Sequence, residues 1–310
     1  MSRMPIIIDC DPGHDDAIAL LLAVASPEVE LLGVTTVAGN TTLDKTTRNA
    51  LATLELAGRS DVPVAAGSEQ PLRRPLVTAE HVHGTTGLDG PHISDPSTPT
   101  HAHGAVPFLA ELLEEADTPV TLIPVGPLTN IARLLTGHPE VMDRIERIVL
   151  MGGAIGLGNI TPAAEFNIFV DPEAAAVVFG SPIEVTMIGL DVTHHARLGP
   201  AHADALRQTG RCGRFVAELL DYFLPNYRRR MGFDGAPIHD ALAVAHVIWP
   251  DLVSTEPLAV EIDTTDGPSA GRTLVDRFRV TGRPPNVAVG MTVDSARFAR
   301  LLVERISGLE

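Results

Sequence analysis

Short apolar runs alternate with longer segments of helical period through most of the chain. The short runs are rich in Val, Ile and Leu and predict strands, and the segments between them predict helices. Alternating strands and helices form parallel sheets, because the crossover between two parallel strands needs a long connection. The sequence therefore predicts an α/β fold with a mostly parallel, doubly wound (Rossmann-like) central sheet flanked by helices.

The predicted elements extend over the whole chain. Strands are predicted at 5–8, 31–37, 62–65, 120–124, 148–151 and 183–188, and helices at 16–25, 43–57, 106–115, 128–135 and 172–179. Residues 201–246 are predicted to be helical, and strands at 258–262, 273–275 and 286–289 precede a helix from Ser295. Neither a repeat nor a linker is visible, which indicates one domain over 1–310.

Charge and composition limit the partners that we expect. Asp and Glu number 39 against 23 Lys and Arg, a formal net charge of −16, which repels nucleic acid. The basic run at 228–230 is interpreted as a solvated helix face, with a phosphate contact as the alternative. The longest apolar helix pattern is far shorter than the roughly 20 residues that a bilayer requires. Two cysteines, Cys10 and Cys212, and an N-terminus without a secretion signal favour the cytoplasm.

Two long segments lack regular periodicity. Residues 71–103 are rich in Pro, Gly, Thr and His, and residues 152–167 are rich in Gly and small polar residues. Long irregular segments in compact domains are usually functional or disordered. The first segment is predicted to lie over an active site, with a plain surface excursion as the alternative.

Four carboxylates occur within eight residues at the end of the first predicted strand, in the run Asp-Cys-Asp-Pro-Gly-His-Asp-Asp at 9–16. Like charges oppose each other's ionisation, so such a cluster needs protonation, hydrogen-bond donors or a cation. Asp15 or Asp16 alone could cap the next helix, but capping does not account for Asp9 and Asp11. The sequence therefore predicts a metal site, and oxygen ligands without thiolates favour calcium or magnesium over zinc.

Other polar residues follow later predicted strands or open later helices. Asp240 either caps a helix or completes the metal site, with His239 beside it as an acid–base or hydrogen-bonding group. Asn40 and the carbonyl of Val125 follow two other strands, whose carboxyl ends meet at the same edge of a sheet. Glu165 and the asparagines near it suit the hydroxyls of a sugar or form turns.

These motifs together resemble the inosine–uridine nucleoside hydrolase family, especially its bacterial pyrimidine-preferring ribonucleoside hydrolases. The similarity runs from the acidic motif through the segments at 37–40, 83–84, 87–90, 124–128, 151–154, 164–168 and 239–241. Several separated motifs in one order are more specific than any single one. The resemblance implies hydrolysis of the N-glycosidic bond of ribonucleosides, with uridine and cytidine preferred and inosine as a further substrate.

The resemblance also implies roles for single residues. One calcium ion per subunit would be held by Asp11, Asp16, Asp240 and the carbonyl of Val125, with Asp15 adjacent, and would hold the ribose 2′ and 3′ hydroxyls. Asp11 would activate water, and His239 would assist the departing base during an oxocarbenium-like transition state. The implied substrate contacts are Asp15, Asn40, His83, Met151, Asn159, Glu165, Phe166, Asn167, Tyr227, His239 and Asp240.

The chain departs from its pyrimidine-preferring relatives before His239, where Tyr227 and Met231 flank a run of arginines. Tyr227 either covers the base or merely packs, so the base preference stays open. Residues 71–103 and 221–236 are predicted to control access and base choice. The resemblance also implies a homodimer or homotetramer.

Three other classes of protein fit less well. An Asp-nucleophile phosphatase also begins with a strand and an aspartate pair, but a later Ser/Thr and Lys set is not found. A dinucleotide-binding oxidoreductase needs G-x-G-x-x-G spacing, which the Met-Gly-Gly run at 151–153 does not provide. A non-catalytic nucleoside sensor shares the fold, but the presence of both Asp11 and Asp240 argues against it.

Overall fold

The computed structural model describes residues 3–310 of the chain. The strands are β1 (Met4–Cys10), β2 (Val29–Thr36), β3 (Val64–Ala66), β4 (Val120–Pro124), β5 (Ile145–Met151), β6 (Val185–Ile188), β7 (Arg197–Leu198), β8 (Ala236–Pro237), β9 (Val253–Leu258), β10 (Val260–Ile262), β11 (Thr273–Val275) and β12 (Val287–Val293). The α-helices are α1 (His14–Ala25), α2 (Leu43–Leu56), α3 (Glu80–His83), α4 (Ala105–Glu115), α5 (Thr129–Gly137), α6 (Phe166–Val170), α7 (Pro172–Phe179), α8 (Leu190–Thr193), α9 (Pro200–Arg207), α10 (Arg211–Met231), α11 (His239–Ile248) and α12 (Ser295–Ser307). Short 3-10 helices lie at Pro139–Arg144 and Pro250–Leu252.

Within residues 3–310, eight strands form one sheet in the order β3-β2-β1-β4-β5-β6-β12-β9. All neighbours are parallel except β12 and β9, which pair antiparallel. The chain winds in one direction from β1 to β3 and in the other from β4 to β6, so the order reverses between β1 and β4. Ligands of doubly wound sheets bind outside the carboxyl ends of the strands at such a point. The predicted mostly parallel, doubly wound sheet is confirmed.

The sheet is covered by an apolar core on each face, and β1 contributes to both. Ile6 and Ile8 point into one core and Ile7 into the other, as the two-residue period of a strand requires. Helix α1 is buried from His14 to Ala23 and packs against α11 and α2. Burial along its whole length fixes its first turn, which carries two aspartates, beside the carboxyl end of β1.

The structure corrects several predicted elements. The stretch 201–246 is not continuously helical: α9, α10, β8 and α11 follow one another, and Gly232 ends α10 with a φ of +68°. The strand predicted at 258–262 is divided between β9 and β10. Helix α3 lies within the irregular segment 71–103, and α6 begins at the end of the segment 152–167; no helix is predicted at either place. None of the helices described over 3–310 has the length and apolar character needed to cross a membrane.

Candidate active site

A pocket of about 760 Å³, open to solvent on one side, lies at the carboxyl end of the central strands. Its walls come from the loops after β2, β4 and β5 and from α1, α3, α6, α10 and α11. Asp11 and Asp16 are fully buried and hydrogen-bond to Asn40 in the wall. The other residues singled out from the sequence line the pocket: Asp15, Asn40, His83, Val125, Met151, Asn159, Glu165, Phe166, Asn167, Tyr227, His239 and Asp240.

Three aspartates form the closest group of carboxylates. One oxygen from each of Asp15, Asp16 and Asp240 lies within 4.8 Å of the others, and all three residues are buried. Burial and then the charge of Asp16 raise the pKa of Asp15 to about 7, and burial raises the pKa of Asp240 well above its usual value. Asp15 is therefore a full member of this group, whereas Asp11 lies outside it.

Asp11 is held tightly and keeps one free oxygen. Its Oδ2 accepts the backbone N–H of Asn40 at 2.6 Å, whereas its buried Oδ1 has no hydrogen-bond partner among the described residues. Gly126 must be glycine, because a Cβ there would lie 2.6 Å from Oδ1. Burial, followed by the charge of Asp16, raises the pKa of Asp11 well above its usual value.

The other two carboxylates of the motif have protein donors. Asp16 accepts the backbone N–H of Asp11 at 3.1 Å and that of Gly13 at 2.9 Å, so it does cap α1. Asp9 accepts Thr35 Oγ1 at 2.6 Å and Asn130 Nδ2 at 2.8 Å. The side-chain partners of Asp9 come from β2 and α5, so it ties the sheet to a neighbouring helix.

Glu165 organises the loop that follows β5. Its Oε1 accepts the N–H of Asn167 at 3.0 Å, and its Oε2 accepts those of Gly153 at 2.9 Å and Ile168 at 3.2 Å. Nδ2 of Asn167 donates to the carbonyl of Val125 at 2.9 Å. Hence the Val125 carbonyl, implied as a metal ligand, already has one protein donor and keeps one lone pair.

Two other residues of this loop have mainly local contacts. Asn159 Oδ1 accepts the backbone N–H of Phe166 at 2.9 Å, so the turn-forming interpretation holds for this asparagine even though it lines the pocket. Phe166 begins α6 and is buried against Ala79 and Val170.

Both ring nitrogens of His239 have partners. Nδ1 lies 2.7 Å from Thr193 Oγ1, and Nε2 lies 3.1 Å from the hydroxyl of Tyr227. Burial, followed by the proximity of His194, lowers the pKa of His239 to about 3. Tyr227 also packs edge-on against Phe223, with ring centroids 4.8 Å apart. It therefore both packs and lines the pocket.

Three residues of α10 line the pocket although they are not among the predicted substrate contacts, which include only Tyr227 from the segment 221–236. Asn226, Arg230 and Met231 line the pocket together with Tyr227, whereas Arg228 and Arg229 are exposed outside it. The pocket residues, with Phe223, have the spacing of one helical face. That spacing is the signal that could have found them. The solvated interpretation of the basic run holds, with Arg230 also at the pocket mouth.

Known proteins are similar to this chain in both sequence and fold. Residues 6–300 match the family model described as inosine-uridine preferring nucleoside hydrolase. The chain belongs to this family. It is 52% identical over 309 residues, 99% of the chain and 97% of the relative, to the pyrimidine-specific ribonucleoside hydrolase RihA of Shewanella sp. (strain MR-7). Identity to the protein of that name from Enterobacter sp. (strain 638) is 49% over 306 residues, 98% of each.

The solved structures of nucleoside hydrolases share the whole fold. The purine-preferring ribonucleoside hydrolase from Gardnerella vaginalis matches with a TM-score of 0.92 at 36% identity, over 98% of both chains. The predicted family and fold are therefore confirmed. This nucleoside hydrolase is an enzyme that hydrolyses N-glycosidic bonds, which makes the phosphatase and oxidoreductase alternatives wrong.

Proposed function

We propose that this nucleoside hydrolase cleaves uridine and cytidine to free base and ribose in a calcium-dependent reaction, with inosine as a poorer substrate. The observation that carries the proposal is the unpartnered Oδ1 of Asp11, buried beside the aspartates that line the pocket. A buried carboxylate oxygen without a donor is costly unless a cation or a reacting proton meets it.

The donor set fits a hard divalent cation. Asp11, Asp16, Asp240 and the Val125 carbonyl would hold the ion, with Asp15 able to join them because its oxygen lies within the closest group. All of these donors are oxygens, which suits calcium or magnesium. Bound calcium would supply positive charge that holds the ribose 2′ and 3′ hydroxyls and makes a water molecule easier to deprotonate.

Asp11 is proposed as the base that takes the proton of the attacking water. Burial makes its carboxylate more basic than an exposed one, and Asn40 fixes Oδ2 so that Oδ1 stays free. As the glycosidic bond stretches, positive charge develops on the ribose ring. The carboxylate of Glu165 lines the same pocket and would stabilise that charge.

His239 is proposed to assist the departing base through Tyr227. Burial keeps the His239 imidazole neutral near pH 7, so it does not hold an extra proton before the reaction. Its Nε2 contacts the Tyr227 hydroxyl, and its Nδ1 contacts Thr193. Tyr227 would give its hydroxyl proton to the base as the glycosidic bond breaks, and Nε2–H of neutral His239 would donate a hydrogen bond to the resulting phenolate while Nδ1 accepts from Thr193. The proton taken from the attacking water would restore the Tyr227 hydroxyl after the products leave. General acid assistance of this kind typically contributes about 10²–10⁴-fold to the rate.

The preference for pyrimidines rests on the relatives. Those named pyrimidine-specific are 52% and 49% identical to this chain, whereas the one named purine-preferring is 36% identical. We further propose that residues 71–103 and 221–236 control access and base choice, because both segments contribute to the pocket wall. Exchanging both segments with those of a purine-preferring relative should shift the ratio of uridine to inosine hydrolysis. An unchanged ratio would count against their role.

The direct test is to incubate the purified protein with uridine, cytidine, inosine and adenosine and to measure free base and ribose by chromatography. We expect release from uridine and cytidine that stops after chelation and returns with calcium; return with magnesium alone would overturn the metal assignment. Asp11→Ala should abolish release. Asp95→Asn is the control, because its carboxylate pairs only with Arg48 at the surface. No release from any nucleoside by the calcium-loaded wild type would overturn the proposal.

We also propose a homodimer or homotetramer located in the cytoplasm. Phe278 and Val280 are 87% and 83% exposed, and such apolar side chains are frequent where copies of a chain meet. Light scattering of the purified protein would measure the mass, and a monomer would contradict the assembly.

A further inference from the structure

The pocket has one permanent cation in its wall. Arg230 of α10 is the only Lys or Arg among the described residues that line the pocket. None of the ion pairs formed within residues 3–310 includes it. An arginine keeps its charge throughout the physiological pH range. Burial, followed by the charge of Arg230, lowers the pKa of the nearby His81, so His81 adds no second positive charge near pH 7.

The charges of the pocket are separated along its depth. Asp15, Asp240 and Glu165 line the pocket and are buried, whereas Arg230 is exposed at the mouth, one residue before the end of α10. The inner part of the pocket is therefore negative, where the proposed cation and the ribose would bind. The mouth is positive, although a neutral nucleoside needs no positive charge there.

Stabilisation of the helix end does not account for this position. Three arginines lie in the last turn of α10, where positive side chains interact favourably with the helix dipole. Arg228 and Arg229 already provide this effect from outside the pocket. The third arginine lies on the pocket side of the same turn and remains available to a ligand.

A second donor lies beside Arg230. Asn226, four residues earlier, also lines the pocket, and side chains at this spacing are neighbours on one face of a helix. Oδ1 of Asn226 accepts a hydrogen bond from Nη2 of Arg229 at 3.3 Å, which leaves the Nδ2 group to donate elsewhere. A guanidinium and an amide N–H on one face suit a carboxylate, which accepts several hydrogen bonds and pairs with the fork of an arginine.

The helix places these donors on the base side of the pocket. Tyr227, one turn before Arg230, contacts His239, and both are proposed to assist the departing base. Glu165 and Asn167, which are proposed to contact the ribose, come instead from the segment after β5. In a pyrimidine riboside, C4 and C5 lie on the edge of the ring away from the glycosidic nitrogen. With the ribose beside the aspartates, this edge points towards the mouth.

We propose that Arg230, with Asn226 beside it, is a specificity-determining residue that binds a carboxylate carried by the nucleobase, so that pyrimidine ribosides with an acidic substituent at C5 are further substrates. The inference rests on the proposed function, because it requires the ribose at the aspartates and the base beside α10. The reaction is the same hydrolysis: water attacks the ribose carbon, the glycosidic bond breaks, and the base leaves with its carboxylate intact.

The test compares 5-carboxymethyluridine with 5-carbamoylmethyluridine, which have nearly the same shape and differ by one negative charge. The ratio of kcat/KM for the acid to kcat/KM for the amide is measured in saturating calcium, and comparing this ratio between variants cancels the intrinsic reactivity of the two leaving groups. We expect the wild type to cleave the acid at least as well as the amide. Arg230→Gln should lower the ratio about tenfold, as expected for the loss of a charge-assisted hydrogen bond.

Arg228→Gln is the matched control, because it removes the same charge from the same turn outside the pocket. Its ratio should equal that of the wild type. Salt gives a second measurement: the ratio should fall with rising ionic strength in the wild type more than in Arg230→Gln, because the contact is screened at an open mouth.

Two results would overturn the inference. An unchanged ratio in Arg230→Gln would show that the carboxylate does not meet this residue. An equal fall in Arg228→Gln would show that only the net charge of the protein matters. Failure of the proposed function would be visible separately, because the wild type would then release no base from uridine itself.

Discussion

Replacing Glu165 by glutamine tests both the electrostatics of the pocket and the role of its loop. Glu165 is 2% exposed, and three backbone N–H groups donate to its carboxylate. Burial nevertheless outweighs these donors and raises its pKa from 4.5 to about 7. The amide in Glu165→Gln has nearly the shape of the protonated acid and does not titrate. Its NH2 group cannot accept the backbone N–H groups, so the variant adds a loss of hydrogen bonds that does not depend on pH, and the removed ionisation shows only in the pH dependence.

The raised pKa of Glu165 determines whether its contribution to stability grows or falls with pH. Between pH 4.5 and about 7, the folded protein keeps a proton on Glu165 that the unfolded chain has released. The contribution of Glu165 to the free energy of unfolding is therefore fully present below pH 4.5 and falls as the pH rises towards 7, by about 3 kcal/mol in total. Glu165→Gln lacks this term, so its stability relative to wild type should rise by a similar amount from pH 4.5 to 8.

The assay is urea unfolding of both proteins at several pH values in saturating calcium, so that the aspartates contribute equally to each. Parallel stability curves from pH 4.5 to 8 would refute the argument that burial controls this carboxyl. Activity gives a second measurement. Because Glu165 is proposed to act on the ribose, kcat/KM should fall together for uridine and for 4-nitrophenyl β-D-ribofuranoside (the nitrophenyl riboside), whose leaving group is not a nucleobase. Unchanged activity would remove it from the proposed ribose contacts.

Three further predictions concern the metal, the leaving group and the fold. Adding calcium to chelated protein should raise the free energy of unfolding by about 2.7 kcal/mol when the calcium concentration is 100 times Kd. A calorimetric Tm that does not change on addition of calcium would contradict the site. Tyr227→Phe should lower kcat for uridine at least tenfold, as expected for lost acid assistance. It should leave kcat for the nitrophenyl riboside unchanged, because that leaving group needs no proton. Equal losses of kcat for both substrates would exclude the relay. Arg74 forms an ion pair with Glu173 at 3.0 Å, in which both side chains are largely buried, and it also donates to the carbonyl of Thr264. Arg74→Met should therefore lower the free energy of unfolding, measured in urea, by about 1–2 kcal/mol. Activity per folded molecule should stay unchanged.

The sequence predicts the sheet better than it predicts the loops over it, for a physical reason. Strands such as β4 are buried on both faces, and an unbroken apolar run is visible without knowing any contact. Helix α6 is only five residues long and is capped by Glu165, whose carboxylate accepts two of its first N–H groups. No periodicity exists in so short a segment, because tertiary hydrogen bonds rather than apolar spacing stabilise it. Helix α3, which carries His83, is shorter still.

The sequence predicts residues that the fold brings together around one pocket, but it does not predict their hydrogen-bond partners. The family motif suggests Asp11, Asp16 and Asp240 as one set, whereas the mutual distances add Asp15 and leave Asp11 outside the closest group. His14 stands in the motif between the glycine and the aspartates, and nothing in its local sequence indicates a partner 69 residues away. Such pairs depend on the packing of loops from different strands, which local patterns do not encode.

The number of hydrogen bonds that each aspartate receives from the protein indicates where a cation would be held. Asp16 receives three hydrogen bonds over its two oxygens. Asp9 receives two, both at Oδ1, and its buried Oδ2 has no partner among the described residues. Asp11 receives its donor at one oxygen only, and its other oxygen is buried without a partner. Asp15 and Asp240 face Asp16 within a few ångströms, where like charges raise one another's pKa. Asp9 and Asp11 therefore both keep a buried oxygen without a donor, but only Asp11 lies beside the aspartates of the pocket, where the charge of Asp16 also raises its pKa and where the proposed cation would supply the missing positive charge.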